Sequence, residues 1–181
     1  MSFPGISNLI TVLNKLYELL SQGSHHGYIV GGFIRDWLLG RQTNDVDIAV
    51  DGNALNIARG VATELGGKFV LLDETNGVAR VVIMEGEKEW HFDFSSFSED
   101  IESDLARRDF TINAMAIELG QFVNYEPEAK QSQTLLIDPF SGKEDLGNRT
   151  MRAVSDQIFE ADAARLLRAA RLAAELDFAI E

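Results

Sequence analysis

Apolar positions along this chain of 181 residues recur at helical spacing in some stretches and alternate in others. Leu9, Val12, Leu13, Leu16, Leu19 and Leu20 predict a helix over residues 7–20, which Ser7 or Asn8 would cap. Residues 22–27 read as a loop, 28–30 as a short strand, and 33–39 as a helix closed by Gly40. Residues 46–50 read as a strand and 54–65 as an amphipathic helix ending at Gly66-Gly67. Stretches 68–72, 78–84 and 89–94 are rich in β-branched and aromatic residues and predict three more strands. Residues 110–117 are apolar and compatible with either element. Residues 134–137 read as a strand ending at Asp138-Pro139, and 156–176 as one long helix. There is no internal repeat. This order predicts an α+β fold, a mixed sheet with helices packed on it. The final helix reads as the opening of a second, helical domain, which divides the chain into residues 1–150 and 151–181.

Composition narrows the chemistry. With 16 Lys and Arg against 29 Asp and Glu the formal charge is −13. Apolar residues at 45 % and charged residues at 25 % exclude wholesale disorder. The absence of cysteine excludes a disulfide scaffold, a thiolate zinc site, an iron–sulfur cluster and a cysteine nucleophile. No apolar run approaches the roughly 20 residues that span a bilayer. The N-terminus lacks the basic start and apolar core of a signal peptide. A cytoplasmic protein with no membrane partner is expected. The acidic balance argues against nonspecific nucleic-acid binding by the chain as a whole. The charge is uneven, however. Five of eleven arginines lie in the last 33 residues, and residues 85–104 hold eight acids and one lysine. That asymmetry suggests a local anion site.

Three clusters carry chemistry. Gly31 and Gly32 stand between a strand and a helix, where a ligand can approach the backbone and free N–H groups suit a phosphate. Arg35, one turn on, could reach a second phosphate oxygen. Alternatively the glycines only make a tight turn and Arg35 pairs with Asp36 or a surface acid. The chain has neither a Walker A loop nor a Gly-x-Gly-x-x-Gly pattern. Asp45 and Asp47 share one strand face, opposite Val46, Ile48 and Val50. Paired carboxylates repel unless a cation joins them, and Mg²⁺ takes carboxylate and phosphate oxygens. The alternative is an exposed acidic strand edge. Asp93 lies on a strand whose apolar face is Trp90, Phe92 and Phe94. It either completes a two-metal site or is one more solvated acid. His91, beside it, reads as a surface residue.

The C-terminal helix has its own geometry. At about 100° per residue, Ile158, Phe159, Leu166, Ala169, Ala173 and Leu176 cluster on one face. Asp162 falls among them, where a carboxylate must be paired or line a cleft. Arg165 is within pairing range at i+3, and Arg168 and Arg171 spiral away. On spacing, an Asp162–Arg165 ion pair locking a domain junction is the first reading.

Four stretches together resemble the motifs of the class II tRNA nucleotidyltransferase and bacterial poly(A) polymerase family. They are Gly31-Gly32-Phe33-Ile34-Arg35-Asp36-Trp37-Leu38-Leu39-Gly40 with Asp45-Val46-Asp47, and Asp104-Leu105-Ala106-Arg107-Arg108-Asp109-Phe110-Thr111-Ile112-Asn113-Ala114-Met115-Ala116. The others are Asp138-Pro139-Phe140-Ser141-Gly142 with Asp145-Leu146, and Asp162-Ala163-Ala164-Arg165-Leu166-Leu167-Arg168-Ala169-Ala170-Arg171. The match runs from residue 28 to residue 178, nearly the whole chain. It implies a polymerase-β-like nucleotidyltransferase head followed by a helical neck, and Mg²⁺-dependent addition of nucleotides from ATP and CTP to the 3′ end of tRNA or another RNA. It implies that Gly32 and Arg35 hold the triphosphate and that Asp45 and Asp47 hold metal. It implies nucleotide binding by Arg108, Asp162, Arg165, Arg168 and Arg171. Position alone adds Gly31 as a nucleotide-binding candidate and Asp93 as a catalytic one.

Two departures stand out. Ala161 precedes Asp162 where the family has Glu, so a helper acid is missing or moved to Glu160. Phe97 and Ser98 stand where an Arg often follows Asp93. An aspartate acceptor beside an arginine donor matches the amino and ring-nitrogen edges of adenine and cytosine and mismatches guanine and uracil. A poly(A) polymerase and a noncatalytic nucleotide-binding regulatory module are the alternative functions. The paired Asp45 and Asp47 argue against the second.

Overall fold

A computed structural model describes residues 6–124 and 136–181 of the chain. Helix α1 (Ile6–Gln22) leads into β1 (Gly27–Val30), α2 (Gly32–Leu38), β2 (Asp45–Val50) and α3 (Ala54–Glu64). A meander follows: β3 (Lys68–Asp73), β4 (Val78–Glu85) and β5 (Lys88–Ser96). Then come α4 (Ile101–Ala106), a 3₁₀ turn (Thr111–Asn113), β6 (Ala116–Glu118) and α5 (Leu119–Val123). Beyond the undescribed residues lie β7 (Leu136–Ile137), α6 (Gly142–Gly147), β8 (Thr150–Met151), α7 (Ile158–Ala161), α8 (Ala164–Leu176) and β9 (Ala179–Ile180).

Seven strands form one mixed sheet in the order β3-β4-β5-β2-β1-β6-β7, and the expected α+β architecture is present. Every pairing in it is antiparallel except β2 with β5. Strand alternation divides the two faces. Val46 and Ile48 of β2, Ala79, Val81 and Ile83 of β4, and Trp90, Phe92 and Phe94 of β5 all enter the main core. Leu9, Val12, Leu13, Leu16 and Leu20 of α1 and Ala58, Val61 and Ala62 of α3 join the same cluster. Among the described residues the opposite face is covered only in part. Ile101 and Leu105 of α4 pack there with Val30, Ala49, Ala114 and Ala116. The polar side chains of β2, β4 and β5 line the remainder.

Several elements differ from the sequence expectation. Helix α1 extends from Ile6 to Gln22, so Ser7 and Asn8 lie inside its first turn. Residues 110–117 resolve into the 3₁₀ turn and β6. Of the strand expected at 134–137, residues 134 and 135 lie outside the described residues, and Leu136–Ile137 pairs with β6. The long helix is two helices. Asp162 adopts an extended backbone, φ −154° and ψ 102°, and its Oδ1 accepts the Ala164 N–H at 2.9 Å. A short acceptor side chain that satisfies a free N–H competes with helix continuation and restarts the helix after itself. Helix α8 then buries Ala169, Leu172 and Ala173 in the main core, while Leu166 is 58 % exposed.

The turn before α6 fixes the segment that leads towards the site. Both Asp138 carboxylate oxygens accept backbone N–H groups, from Gly142 at 2.7 Å and Lys143 at 2.9 Å. Gly142 lies against the backbone of Thr111, and a Cβ there would collide with the Thr111 carbonyl. The Thr111 hydroxyl donates to buried Asp145 at 2.6 Å, and Arg152 reaches the same carboxylate at 3.1 Å. Gly142→Ala is therefore expected to destabilise the fold by about 1–3 kcal/mol through overpacking. Urea denaturation followed by circular dichroism checks this, with Gly60→Ala as comparison, because a Cβ at Gly60 meets nothing within 4 Å.

Candidate functional site

The uncovered part of the sheet is where the predicted acids meet. Parallel pairing sets Asp45 opposite His91 and Asp47 opposite Asp93. Antiparallel pairing sets Arg80 of β4 opposite Asp93. Since i and i+2 share a strand face, Asp45, Asp47, Arg80, His91 and Asp93 all project to one side.

Asp47 is the innermost. Burial pushes its carboxyl above the ordinary value, Arg108 pulls it back, and neighbouring Asp93 pushes it up again. The Gly32 backbone N–H lowers it and Asp45 raises it, both more weakly. Gly31 closes this corner with φ +70°, in the left-handed region, and a Cβ there would lie 2.8 Å from both Arg108 Nη1 and Asp47 Oδ2. Two reasons thus require glycine at position 31, backbone strain and close approach. Gly32 carries neither constraint. Arg108 is anchored by Nη2 to Asp104 Oδ2 at 3.0 Å, and Arg107 holds the other Asp104 oxygen at 2.9 Å.

Arg35 lies beneath this corner rather than at its mouth. It is 8 % exposed and donates to Asp36 at 2.8 and 3.1 Å and to Asn113 Oδ1 at 2.8 Å. The pairing with Asp36 that spacing allowed is the arrangement present. In this geometry Arg35 braces the glycine turn against the 111–113 segment.

Asp93 is not a solvated acid. Arg80 grips it bidentately, Nε to Oδ1 at 2.7 Å and Nη2 to Oδ2 at 2.8 Å. That hydrogen bond raises the Arg80 pKa above its ordinary value against the opposing effect of burial. Arg80 Nη2 also lies 3.8 Å from Asp45 Oδ1. His91 is likewise built into the site, with Nδ1 2.9 Å from Asp45 and Nε2 2.7 Å from Glu89. The Glu89 bond raises its pKa, burial opposes this, and the Asp45 bond adds to the rise. Sequence reasoning missed Arg80 and set His91 aside. The available signal was phase. Arg80 is the one cation on β4, out of step with Ala79, Val81 and Ile83 and therefore on the face opposite the core. Phe97 instead packs edge-on against Tyr28, centroids 5.7 Å apart.

The C-terminal arginines are placed differently from the expectation. Asp162 is exposed at the break between α7 and α8, not on an apolar face, and no Asp162–Arg165 ion pair forms among the described residues. Arg165 donates to the carbonyls of Arg107 at 3.2 Å and Ile158 at 3.4 Å. Arg168 binds buried Asp109, with both Nε and Nη2 at 2.9 Å from Oδ2. Arg171 is exposed, and none of the described residues bonds to it. The helix thus reaches the Arg107–Asp109 stretch from behind while Arg108 faces the carboxylates.

Hard oxygen donors on one face fit a magnesium ion, which is ordinarily held by one or two carboxylates plus substrate phosphates. Among the described residues no group of three or more His, Cys, Asp or Glu forms a ready-made metal cage. Asp45 and Asp47 suit the two-carboxylate case, whereas Asp93 is engaged by Arg80.

The α8 anchor gives a direct expectation. Among the described residues, Arg168→Ala leaves the buried Asp109 carboxylate with the Phe110 N–H and the Asn113 amide, and is expected to cost about 1–3 kcal/mol. Arg171→Ala removes no such bond and should stay within about 0.5 kcal/mol of the parent. Thermal melts of both variants, at equal salt, decide whether Arg168 is the anchor.

Comparisons with known proteins fit this geometry. The family described as poly A polymerase head domain matches residues 27–152. The chain is similar to a CC-adding tRNA nucleotidyltransferase of Geobacter sulfurreducens, 42 % identical over 90 % of this chain and 35 % of that protein. It is also similar to an A-adding tRNA nucleotidyltransferase of Deinococcus radiodurans, 38 % identical over 84 % of this chain and 31 % of that one. A solved complex of a CCA-adding enzyme with CTP superimposes with a TM-score of 0.77 at 38 % identity, over 99 % of this chain and 40 % of that one. The chain spans about a third of the length of these curated relatives. A two-carboxylate strand beside a strained glycine and an inward arginine, in this sheet order, thus occurs in a chain that belongs to the poly(A) polymerase head-domain family.

Proposed function

We propose that this chain is the nucleotide-binding and catalytic part of an RNA nucleotidyltransferase that adds CMP or AMP to the 3′ end of tRNA. One observation carries the reading: the Gly31 turn, the Arg108 guanidinium and the Asp47 carboxylate converge on a single point. The names of the relatives supply the substrate class. A triphosphate laid on that corner meets a turn with no side chain and an arginine that Asp104 orients. The Gly32 N–H already faces the Asp47 carboxylate.

Asp45 and Asp47 would hold Mg²⁺, which in such sites lowers the pKa of the attacking 3′-hydroxyl and stabilises the pyrophosphate leaving group. Their shared strand face fixes their spacing without help from loops. Arg35 holds the turn in shape through Asp36 and Asn113. Asp162 and Arg165 are the proposed base readers. Asp162 has acceptor capacity beyond its bond to Ala164, and Arg165 makes only single bonds to two carbonyls, leaving further N–H donors. This donor–acceptor order suits adenine and cytosine. The two-domain division at residue 150 belongs to the same proposal, with α8 reading the base from the neck side.

The full-length protein, supplied with tRNA lacking its 3′ end and with each NTP separately, is expected to extend the RNA by one to a few nucleotides from CTP, ATP or both. A long adenylate ladder from ATP on any RNA marks a poly(A) polymerase instead. Asp45→Ala combined with Asp47→Ala should abolish addition, and calorimetry should show that Mg²⁺ no longer strengthens ATP binding. Asp162→Ala is expected to lower the preference for ATP over GTP roughly ten- to a hundredfold, one hydrogen bond to a charged group. Because Asp162 is exposed, the variant should lose only the stability that its one bond to the Ala164 N–H contributes, about 1 kcal/mol, seen as a small fall in melting temperature. An unchanged ATP-to-GTP ratio rules out Asp162 as a base reader.

A further inference from the structure

The site carries a cation of its own that the proposed chemistry does not use. Arg80 enters from β4, the strand beyond the carboxylate pair. It forms a two-point bond with Asp93 at 2.7 and 2.8 Å. It lies 3.8 Å from Asp45 and 3.4 Å from the His91 ring. Its side chain is 30 % exposed and that of Asp93 21 %, so water screens the pair only partly. Asp93 in turn sits in register beside Asp47, whose side chain is half-buried.

We propose that Arg80 is a built-in counter-cation for the Asp45, Asp47 and Asp93 cluster, a positioning residue that keeps the three carboxylates together before a divalent ion arrives and thereby sets how tightly that ion binds. A fixed positive charge in a cluster of acids acts in two opposed ways. It relieves their mutual repulsion, so the ion-free protein is more stable. It also removes part of the attraction that a divalent cation would feel. Arg80 further occupies both oxygens of Asp93, which keeps that carboxylate from serving as a metal ligand. Asp45 and Asp47 are then the pair left for the ion. The planar fork matters as well as the charge, since only a guanidinium meets a carboxylate at two points.

The inference rests on the reading of Asp45 and Asp47 as the metal-holding pair, and Mn²⁺ tests both without turnover. Binding of Mn²⁺ to the full-length protein, with no nucleotide present, is measured by electron paramagnetic resonance of the free ion. Melting curves are recorded in chelator and in Mn²⁺. Arg80→Gln should lower the melting temperature in chelator and tighten Mn²⁺ binding by about tenfold, so that Mn²⁺ raises the melting temperature more than in the parent. Arg80→Lys keeps the charge and loses the fork, and should fall between parent and Arg80→Gln. Asp93→Asn added to Arg80→Gln should reverse most of the tightening, because the negative charge that Arg80 had cancelled no longer attracts the ion.

Unchanged or weaker Mn²⁺ binding in folded Arg80→Gln overturns the role of Arg80, as does an Arg80→Lys variant indistinguishable from Arg80→Gln. The metal reading fails separately, and the role of Arg80 in ion binding with it, if Asp45→Asn with Asp47→Asn leaves parent Mn²⁺ binding intact.

Discussion

Parallel pairing of β2 with β5, in the register that sets Asp47 beside Asp93, is the constraint on which the site depends. Neighbouring strands lie about 5 Å apart, so two ionised carboxylates facing the same way across that gap repel by roughly 3 kcal/mol at an effective dielectric of about 20. The net charge of −13 offers no general relief. The repulsion has to be answered locally, and it is answered from two sides: Arg80 on β4 takes Asp93, and Arg108, held on Asp104, faces Asp47. A one-residue slip of β5 would send Asp93 into the core and bring Phe92 or Phe94 to the open face. The apolar packing of Trp90, Phe92 and Phe94 therefore fixes the position of the acid as firmly as the acid's own partners do.

The same logic organises the remaining arginines. Arg35 is held by Asp36, Arg152 by Asp145 and Glu181, and Arg168 by Asp109. Two of the five arginines that give the C-terminal segment its basic character, Arg152 and Arg168, fasten that segment to acids of the head, while Arg149 pairs with Asp177 and Arg165 with backbone carbonyls. Asp36, Asp109 and Asp145 are buried, and removing an arginine from a buried acid is costly because the acid stays behind uncompensated. Arg171 is outside this scheme.

What the sequence made legible follows from length and phase. Strands with strict alternation and helices with several apolar turns, α1 and α3, were readable because burial of one face dictates the pattern. The short helices α4, α5 and α6 have five or six residues, too few for a period to show, and of the three only α4 is capped by the side chain of its own N-cap residue, Asp100 accepting the Ser103 N–H. The break at Asp162 was invisible to periodicity, because the apolar positions of 158–176 fit one continuous helix. Only the tendency of aspartate to take a local N–H distinguishes two helices from one. Asp45, Asp47 and Gly31 were legible as a local pattern. Arg80 was not, because its meaning comes from strand order: the two-residue link at Gly86-Glu87 pairs β4 with β5, but nothing local says that β2 lies on the other side of β5.

The segment from Arg107 to Asp109 ties these threads together. Its middle residue faces the Asp47 corner, and its two neighbours are held from behind by α8, Arg107 through its carbonyl to Arg165 and Asp109 through its carboxylate to Arg168. Asp104 secures the front through both Arg107 and Arg108. A displacement of α8 cannot leave Arg108 where it is unless these bonds break. Under the proposed function, the group that meets the triphosphate and the helix that reads the base are measured from the same three residues. A nucleotide that seats its base badly on α8 would then pull against the phosphate grip, and selectivity would appear in the alignment of the reacting phosphate as well as in affinity. That coupling needs no separate lid or hinge, only buried acids that do not tolerate losing their arginines.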